Sequence, residues 1–257
     1  MTLSDLVFSG VGVALLTLLT DDGAVDAAAT GGHAADLAGR GMQAVLACGT
    51  TGEPATLTDA ERRQVITAVR DALPAGLPVL GGTGAVTADR AAELTTQAVE
   101  SGADAILAWP PPGSEDLPGY FAAIAAAAQG RPVLGYHIPW ISAPGLPLDA
   151  LDELPIAGLK DSSGDPDRLI AEITRYRGAT YTGNSALLTT AGPMGAAGAI
   201  LAAANVEPEL ACAAFGGDGA AQRALAGVHL AGKAGGPPAL KRLLAERRGY
   251  SPVSRAS

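Results

Sequence analysis

Apolar runs of strand length alternate along the chain with longer segments whose apolar positions recur at helical spacing. Several runs are apolar throughout and lack the alternation expected of a strand with one solvent-exposed face. Such runs are typical of parallel strands that are covered on both sides. The eight predicted strands span residues 11–19, 44–48, 78–82, 105–109, 132–138, 156–160, 179–182 and 197–203.

Recognisable helix starts lie between these strands. Thr58-Asp59-Ala60-Glu61 is a capping box, in which a hydroxyl and a carboxylate satisfy free backbone N–H groups of the first turn. Thr87 begins an alanine-rich segment that runs to Glu100, and Asp149 lies early in a short helix. Pro166 begins a further segment of helical spacing. Helices are therefore predicted in the connections between strands.

The alternation of eight strands with helices predicts an α/β fold, a (β/α)8 TIM barrel with a short C-terminal helical extension. An open, doubly wound sheet is the alternative. Its first strand-to-helix turn should carry a glycine-rich phosphate loop, but that turn reads Thr20-Asp21-Asp22-Gly23. About two more helices follow residue 206. We expect residues 1–207 to form the catalytic barrel domain, and residues 208–257 to form the last barrel helix and a short helical appendix.

Charge and composition narrow the classes of partner and compartment. The 257 residues carry a formal net charge of −9 with no basic run beyond Arg247-Arg248, so neither nucleic acid nor a membrane is an expected partner. No apolar stretch reaches the roughly 20 residues of a membrane span, and the N-terminus lacks the basic start of a signal peptide. Cys48 and Cys212 have no metal-ligand spacing and suggest reduced core thiols of a cytoplasmic protein. A reactive Cys48 is the alternative.

Lysine is rare in this chain and one lysine has an unusual position. Lys233 and Lys241 lie in the polar C-terminal part, where a solvated ammonium is expected. Lys160 instead closes the apolar run 156–160. Burial removes water from an amine and favours its neutral form, which is a nucleophile towards carbonyls. Lys160 is therefore a candidate Schiff-base lysine.

The carboxyl ends of neighbouring predicted strands supply groups that would assist such a lysine. The turn Gly49-Thr50-Thr51-Gly52-Glu53 can direct backbone N–H groups and hydroxyls towards one anion. Tyr136 lies on the strand before Lys160 and can carry protons to and from a carbinolamine. An amine, a carboxylate site and a proton shuttle are the groups that imine chemistry on a 2-oxo acid requires.

Three sequence elements together resemble a known family. They are Gly49-Thr50-Thr51-Gly52-Glu53, Tyr136-His137-Ile138-Pro139, and Gly158-Leu159-Lys160-Asp161-Ser162-Ser163-Gly164-Asp165, in this order on the expected strands. In these elements the chain is similar to the pyruvate-dependent class I aldolase superfamily of dihydrodipicolinate synthase and N-acetylneuraminate lyase. The similarity extends over roughly residues 11–208.

This resemblance implies a role for each site residue. Lys160 would form the Schiff base with pyruvate, and Tyr136 would shuttle protons. Thr50 and Thr51 would hold the pyruvate carboxylate, while Ile200 would line the site through its backbone carbonyl. The reaction would make or cleave a carbon–carbon bond between pyruvate and an aldehyde. It would need no cofactor and no metal, because the iminium itself acts as the electron sink.

The chain also departs from the pattern of dihydrodipicolinate synthases. Those enzymes carry a tyrosine after the fourth strand, whereas this chain has Trp109-Pro110-Pro111-Pro112. They also place an arginine shortly after the Tyr-x-x-Pro element, whereas this chain has Trp140-Ile141-Ser142. We therefore expect an aldehyde that is less anionic than aspartate semialdehyde, such as one derived from a 2-keto-3-deoxy sugar acid, or an apolar aldehyde. We expect a homo-oligomer, either a dimer or a tetramer. The C-terminal helical part is shorter than is usual in the family, which argues against the family's usual tetramer.

Several alternatives stay open from sequence. The protein is either a general pyruvate aldolase, a dihydrodipicolinate synthase with an altered proton relay, or a non-catalytic barrel that binds a 2-oxo acid. Trp109 and Trp140 either pack in the core or line an acceptor pocket. His137 should face the surrounding helices because neighbouring strand residues point to opposite faces. Glu53 should order its loop, and His33 and His229 are expected to be solvated and without partners.

Overall fold

The computed structural model describes residues 6–256 and shows eight parallel strands that close into a barrel in chain order. β1 pairs with β8, so the sheet has no open edge, and the doubly wound alternative is wrong. The strands are β1 Gly10–Ala14, β2 Val45–Ala47, β3 Val79–Gly82, β4 Ala105–Ala108, β5 Val133–His137, β6 Gly158–Asp161, β7 Ala179–Thr182 and β8 Gly198–Leu201. The predicted barrel is confirmed.

Helices follow the strands on the outside of the barrel, apart from the β5–β6 connection, which contains a 3₁₀ helix. The α-helices are α1 Ala27–Gly39, α2 Asp59–Ala72, α3 Ala88–Glu100, α4 Leu117–Ala127, α5 Pro166–Arg175, α6 Leu188–Ala191, α7 Pro208–Phe215 and α8 Gly219–Arg248. The capping box before α2 is present, since Glu61 N–H donates to Thr58 and the Glu61 carboxylate accepts from the Thr58 backbone. The short helix predicted around Asp149 is the 3₁₀ helix, Leu148–Glu153.

The first strand ends earlier than its apolar run. β1 stops at Ala14, although the chain stays buried to residue 19. Leu15 N still donates to Leu46 O of β2, but side chains then replace strand neighbours as hydrogen-bond partners. Asn205 Oδ1 accepts from Leu16 N, and Thr30 Oγ1 accepts from Leu18 N. Apolar composition alone could not reveal this end, because buried backbone groups need a partner of any kind, not a strand.

The core has two layers. One fills the space between the strands and the surrounding helices, and the other fills the inside of the barrel. At the amino-terminal end of the barrel, the Tyr181 hydroxyl donates to Phe8 O at 2.9 Å, and the two rings lie 4.7 Å apart. These contacts close that end, so a ligand site must lie at the opposite, carboxyl end, where TIM barrels carry their active sites.

The C-terminal part consists of α7, α8 and a tail. The proposed domain boundary at residue 207 falls immediately before α7. α8 is kinked at Gly236, whose φ of 54° and ψ of −149° are not helical and which precedes Pro237 and Pro238. After α8 the tail returns to the barrel and reaches the loop after β2. Within residues 6–256, no helix is both long enough and apolar enough to cross a membrane.

Candidate active site

A cavity of about 610 Å³ opens at the carboxyl end of the barrel. All five residues that the sequence singled out line this cavity, namely Thr50, Thr51, Tyr136, Lys160 and Ile200. They come from β5, β6, β8 and the turn that follows β2, so only closure of the barrel brings them together. Their common location does not by itself assign a chemical role to any of them.

Lys160 and Tyr136 are neighbours across two strands. Tyr136 on β5 pairs directly with Lys160 on β6, so their side chains share a face. Lys160 Nζ lies 4.4 Å from the centre of the Tyr136 ring, and the two residues are only 4% and 5% exposed. Gly183 makes room for the lysine, because a Cβ at that position would lie 2.9 Å from Lys160 Cε. The lysine is thus buried and adjacent to the phenol, as the sequence interpretation required.

Ser162 supplies a hydroxyl next to the phenol that the sequence interpretation had not assigned. Its Oγ donates to the Tyr136 hydroxyl at 3.2 Å, and Ser162 is buried on the cavity wall. Ser162 follows Lys160 by two residues, so strand periodicity could have placed it on the same face. The segment after β4 has prolines where dihydrodipicolinate synthases carry a tyrosine. There the Pro110 carbonyl accepts a hydrogen bond from Ser142 Oγ.

Thr50 and Thr51 lie in a short 3₁₀ turn, Thr50–Gly52, directly after β2. The turn is fixed at its end, because Thr17 Oγ1 donates to Gly52 O at 2.8 Å. Glu53 follows in the left-handed conformation with φ 57°. Thr50 and Thr51 therefore line the cavity from a loop that Thr17 fixes at Gly52.

Glu53 fixes this loop to the C-terminal tail. Its Oε2 accepts from Ser254 Oγ at 2.8 Å, from Arg255 N at 2.7 Å and from Ala256 N at 2.6 Å. Burial alone would raise the pKa of Glu53, but hydrogen bonds from Lys241 and Ala256 outweigh it and hold this pKa below its usual value. The expectation that Glu53 orders its loop is confirmed.

Lys241 is not the solvated lysine that the sequence predicted. It is only 1% exposed, its Nζ lies 2.5 Å from Glu53 Oε1, and it donates to Val253 O at 2.9 Å. The prediction was wrong because the ammonium on α8 is buried against a carboxylate from the loop after β2. Lys233, by contrast, is exposed, as expected, and lies on the cavity wall.

Two of the three histidines differ from expectation. His137 faces away from the cavity and its Nδ1 accepts from Leu146 N at 3.0 Å, which confirms its structural position. His33 is buried in α1 with Nε2 3.3 Å from Asn205 Oδ1, and burial lowers its pKa to about 4. His229 lines the cavity with Nδ1 2.9 Å from Ser185 Oγ. The prediction that His33 and His229 are solvated and unpartnered was wrong.

The two tryptophans are in different environments. Trp140 is 64% exposed and lies on the cavity wall. Trp109 packs against the core inside the barrel, and its carbonyl accepts from the Tyr120 hydroxyl at 2.9 Å. Of the two open alternatives, packing applies to Trp109 and the cavity wall to Trp140.

Cys48 should be unreactive in the folded protein. Its thiol is buried, which raises its pKa to about 11, whereas Cys212 is only half-buried. Because the thiolate is the reactive form, we expect iodoacetamide at pH 8 to modify Cys212 first and Cys48 only after unfolding. Peptide mass spectrometry over time checks this. Equal rates at the two cysteines in folded protein would show that Cys48 is accessible.

Among residues 6–256, no group of three or more histidine, cysteine, aspartate or glutamate side chains is placed to hold a metal ion. The cavity instead combines a buried amine, several hydroxyls and one phenol. Such a set can form and protonate a covalent adduct with a carbonyl compound.

Known proteins resemble the chain over most of its length. A 4-hydroxy-tetrahydrodipicolinate synthase of Synechococcus sp. (strain CC9605) is 34% identical over 242 residues, which cover 87% of this chain and 79% of that protein. An uncharacterized DapA-like lyase of Chloroflexus aurantiacus is 37% identical over 259 residues, covering 91% and 85% of the two chains.

A solved structure and a family match agree with these relatives. The crystal structure of the chloride-inhibited dihydrodipicolinate synthase of Acinetobacter baumannii with pyruvate has a TM-score of 0.86 at 27% identity, covering 98% of this chain and 94% of that one. Residues 7–226 match the dihydrodipicolinate synthetase family. The chain therefore belongs to this family, whose members are lyases that form a Schiff base with pyruvate.

Proposed function

We propose that Lys160 forms the Schiff base and that the enzyme joins pyruvate to an aldehyde, or cleaves the product, at C3 of pyruvate. The observation that carries the assignment is the position of Lys160 Nζ, 4.4 Å from the Tyr136 ring centre inside the cavity that Thr50 and Thr51 also line. No other lysine is a good candidate, because Lys241 is held by Glu53 and Lys233 is exposed.

The reaction proceeds through covalent intermediates on Lys160. Nζ of Lys160 attacks C2 of pyruvate and gives a carbinolamine, which loses water to leave an iminium. Loss of a proton from C3 gives an enamine, whose C3 then bonds to the carbonyl carbon of the aldehyde. The aldehyde oxygen takes up a proton, and water releases the product from Lys160. The cleavage reaction runs through the same steps in reverse.

Tyr136 would move the protons of these steps. Its hydroxyl has Ser162 as a neighbour at 3.2 Å, and both residues line the cavity. We propose that Ser162 takes the place of the tyrosine that dihydrodipicolinate synthases carry after the fourth strand. The hydroxyls of Thr50 and Thr51 would bind the pyruvate carboxylate, with Ile200 contributing the wall beside them.

Dihydrodipicolinate synthesis with an altered relay is the second candidate. It is favoured by relatives of that name, such as the Synechococcus protein at 34% identity. A panel of aldehydes with pyruvate, aspartate semialdehyde among them, separates the two enzyme functions.

We further propose that the protein is a homo-oligomer. Light scattering on the protein as it elutes from a size-exclusion column tests this directly.

Reduction with borohydride in the presence of pyruvate tests the proposed function. Hydride converts the iminium into a stable secondary amine, so peptide mapping should find a pyruvate adduct on Lys160 and none on Lys233 or Lys241. A 2-oxo-acid-binding barrel without catalysis would bind pyruvate but give no adduct. That result would remove the enzyme assignment.

Tyr136→Phe should lower kcat by about 100-fold, because proton transfer by a placed side chain contributes roughly that much or more. KM for pyruvate should change little, since the phenol is not part of the carboxylate site. Steady-state kinetics with the aldehyde that gives turnover checks the split. Tyr176→Phe is the matched control, because Tyr176 is outside the cavity wall and its hydroxyl has no hydrogen-bond partner within residues 6–256. Equal kcat values for the two variants would contradict the assignment.

A further inference from the structure

The cavity has the opposite charge character to the protein around it. The chain has 26 acidic and 17 basic residues, yet no aspartate or glutamate is among the cavity-lining residues within the described part of the chain. Three basic side chains line it, which are Lys160, Lys233 and His229. Lys160 is occupied by the carbonyl chemistry, so Lys233 is a cation for which the proposed reaction has no use.

Lys233 and His229 form one wall of the cavity. They lie four residues apart on α8, so they share a helix face one turn apart. The kink of α8 lies at Gly236, and the same wall includes Val228, Gly232, Gly236, Pro237 and Leu240. Within residues 6–256, Lys233 forms no salt bridge with a carboxylate. Its ammonium is therefore available to a ligand in the cavity.

His229 adds a donor rather than a second cation. Burial, together with the charge of Lys233, lowers the pKa of His229, which keeps the ring neutral near pH 7. Its Nδ1 lies 2.9 Å from Ser185 Oγ. When Nδ1 accepts from that hydroxyl, the proton of the neutral ring lies on Nε2 and can be donated to a ligand.

We propose that Lys233, assisted by His229, binds a carboxylate at the distal end of the aldehyde acceptor. The inference rests on the proposed function and adds the acceptor class to it. One ammonium beside neutral donors matches a singly charged carboxylate better than a doubly charged phosphate. A carboxylate in this cavity would be costly without a cation, and Lys233 supplies one.

This proposal reverses the expectation of a less anionic acceptor. That expectation rested on the stretch Trp140-Ile141-Ser142, which has no arginine although dihydrodipicolinate synthases place one shortly after the Tyr-x-x-Pro element. The structure places a cation on a different wall of the same cavity, on α8. Sequence analysis missed it because nothing in the polar C-terminal segment indicates which side of α8 meets the barrel mouth.

Borohydride trapping of product-like 2-oxo acids tests the site without knowledge of the natural aldehyde. The probes are 2-oxoglutarate, 2-oxoadipate and 2-oxopimelate, each compared with the neutral-tailed acid of equal carbon number. In wild type, the best dicarboxylate should reach half-maximal adduct on Lys160 at about fivefold lower concentration than its neutral counterpart, the size expected of a partly exposed ion pair. Lys233→Met should remove that preference, and Lys233→Arg should keep most of it.

Controls separate this inference from the proposed function. Arg223→Met removes an exposed cation of α8 outside the cavity wall, and it should leave the dicarboxylate preference intact. Half-maximal trapping of pyruvate should be the same in Lys233→Met and wild type. A dicarboxylate preference that is absent in wild type, or unchanged in Lys233→Met, overturns the acceptor site while pyruvate trapping still supports the proposed function. Failure of pyruvate itself to be trapped overturns both.

Discussion

Lys160→Ala should lower kcat by at least about 10⁴-fold, because removal of a covalent nucleophile eliminates the intermediates and leaves only binding and orientation. The pyruvate adduct formed with borohydride should disappear from the variant at the same time. Steady-state kinetics and intact-protein mass spectrometry measure the two effects. The fold should survive, since the side chain fills a cavity wall and not the inter-helix core.

Lys160→Arg and Lys160→Met serve as controls for charge and volume. Arginine keeps a positive charge but is not a practical nucleophile at neutral pH, and methionine keeps the volume without the amine. Both should be as inactive as alanine and should unfold at temperatures close to wild type. Residual activity within about tenfold of wild type in any of the three, or an adduct mapped elsewhere, would assign the chemistry to another group.

Lys241→Met should destabilise the protein by about 3 kcal/mol, because it leaves the buried Glu53 carboxylate without its cation. This loss of stability is at the lower end of the range for a broken buried ion pair, because Ser254, Arg255 and Ala256 still donate to Glu53. Urea unfolding followed by circular dichroism measures the loss. KM for pyruvate should rise as well, since Glu53 holds the loop that carries Thr50 and Thr51.

A second substitution and a neighbouring control identify the cause. Glu53→Gln in the Lys241→Met background removes the uncompensated charge and should recover much of the lost stability. Arg242→Met, at the next and exposed position of α8, should change stability by less than about 0.5 kcal/mol. Similar losses for Lys241→Met and Arg242→Met would show that the buried ion pair is not important for stability.

The lowered pKa of Glu53 also determines whether folding stability rises or falls with pH. Because this pKa is lower in the folded protein than in the unfolded chain, protons bind more readily to the unfolded form. The stabilisation from Glu53 is therefore present above the ordinary glutamate pKa and is lost as the pH falls through the lower, folded value. Glu53→Gln should show a shallower loss of stability on acidification than wild type.

The sequence predicted the barrel, and it predicted that the central residues of the site lie at one end of it. Both predictions were possible because they depend on local or periodic patterns. The capping box at Thr58 is a contact within four residues, and the wholly apolar runs indicate strands covered on both faces. Strand ends then placed Tyr136 and Lys160 at one end of the barrel, since parallel strands finish at the same edge. Their pairing across β5 and β6 agrees with that reasoning.

The missed features depend on contacts between distant parts of the chain. Lys241 and His229 look like ordinary polar residues of a helix, and only the docking of α8 determines that one is buried and the other meets the cavity. The end of β1 was missed for a similar reason, because Asn205 replaces the strand partner of Leu16. No periodicity encodes such contacts, since each partner satisfies the other only after folding.

With Thr50 and Thr51 as the proposed pyruvate carboxylate site, the tail that reaches Glu53 would make substrate affinity depend on residues far from Lys160. Ser254, Arg255 and Ala256 supply three of the donors that hold the threonine loop. Truncation before Ser254 would remove these donors while leaving the barrel strands and Lys160 in place, and it should raise KM for pyruvate.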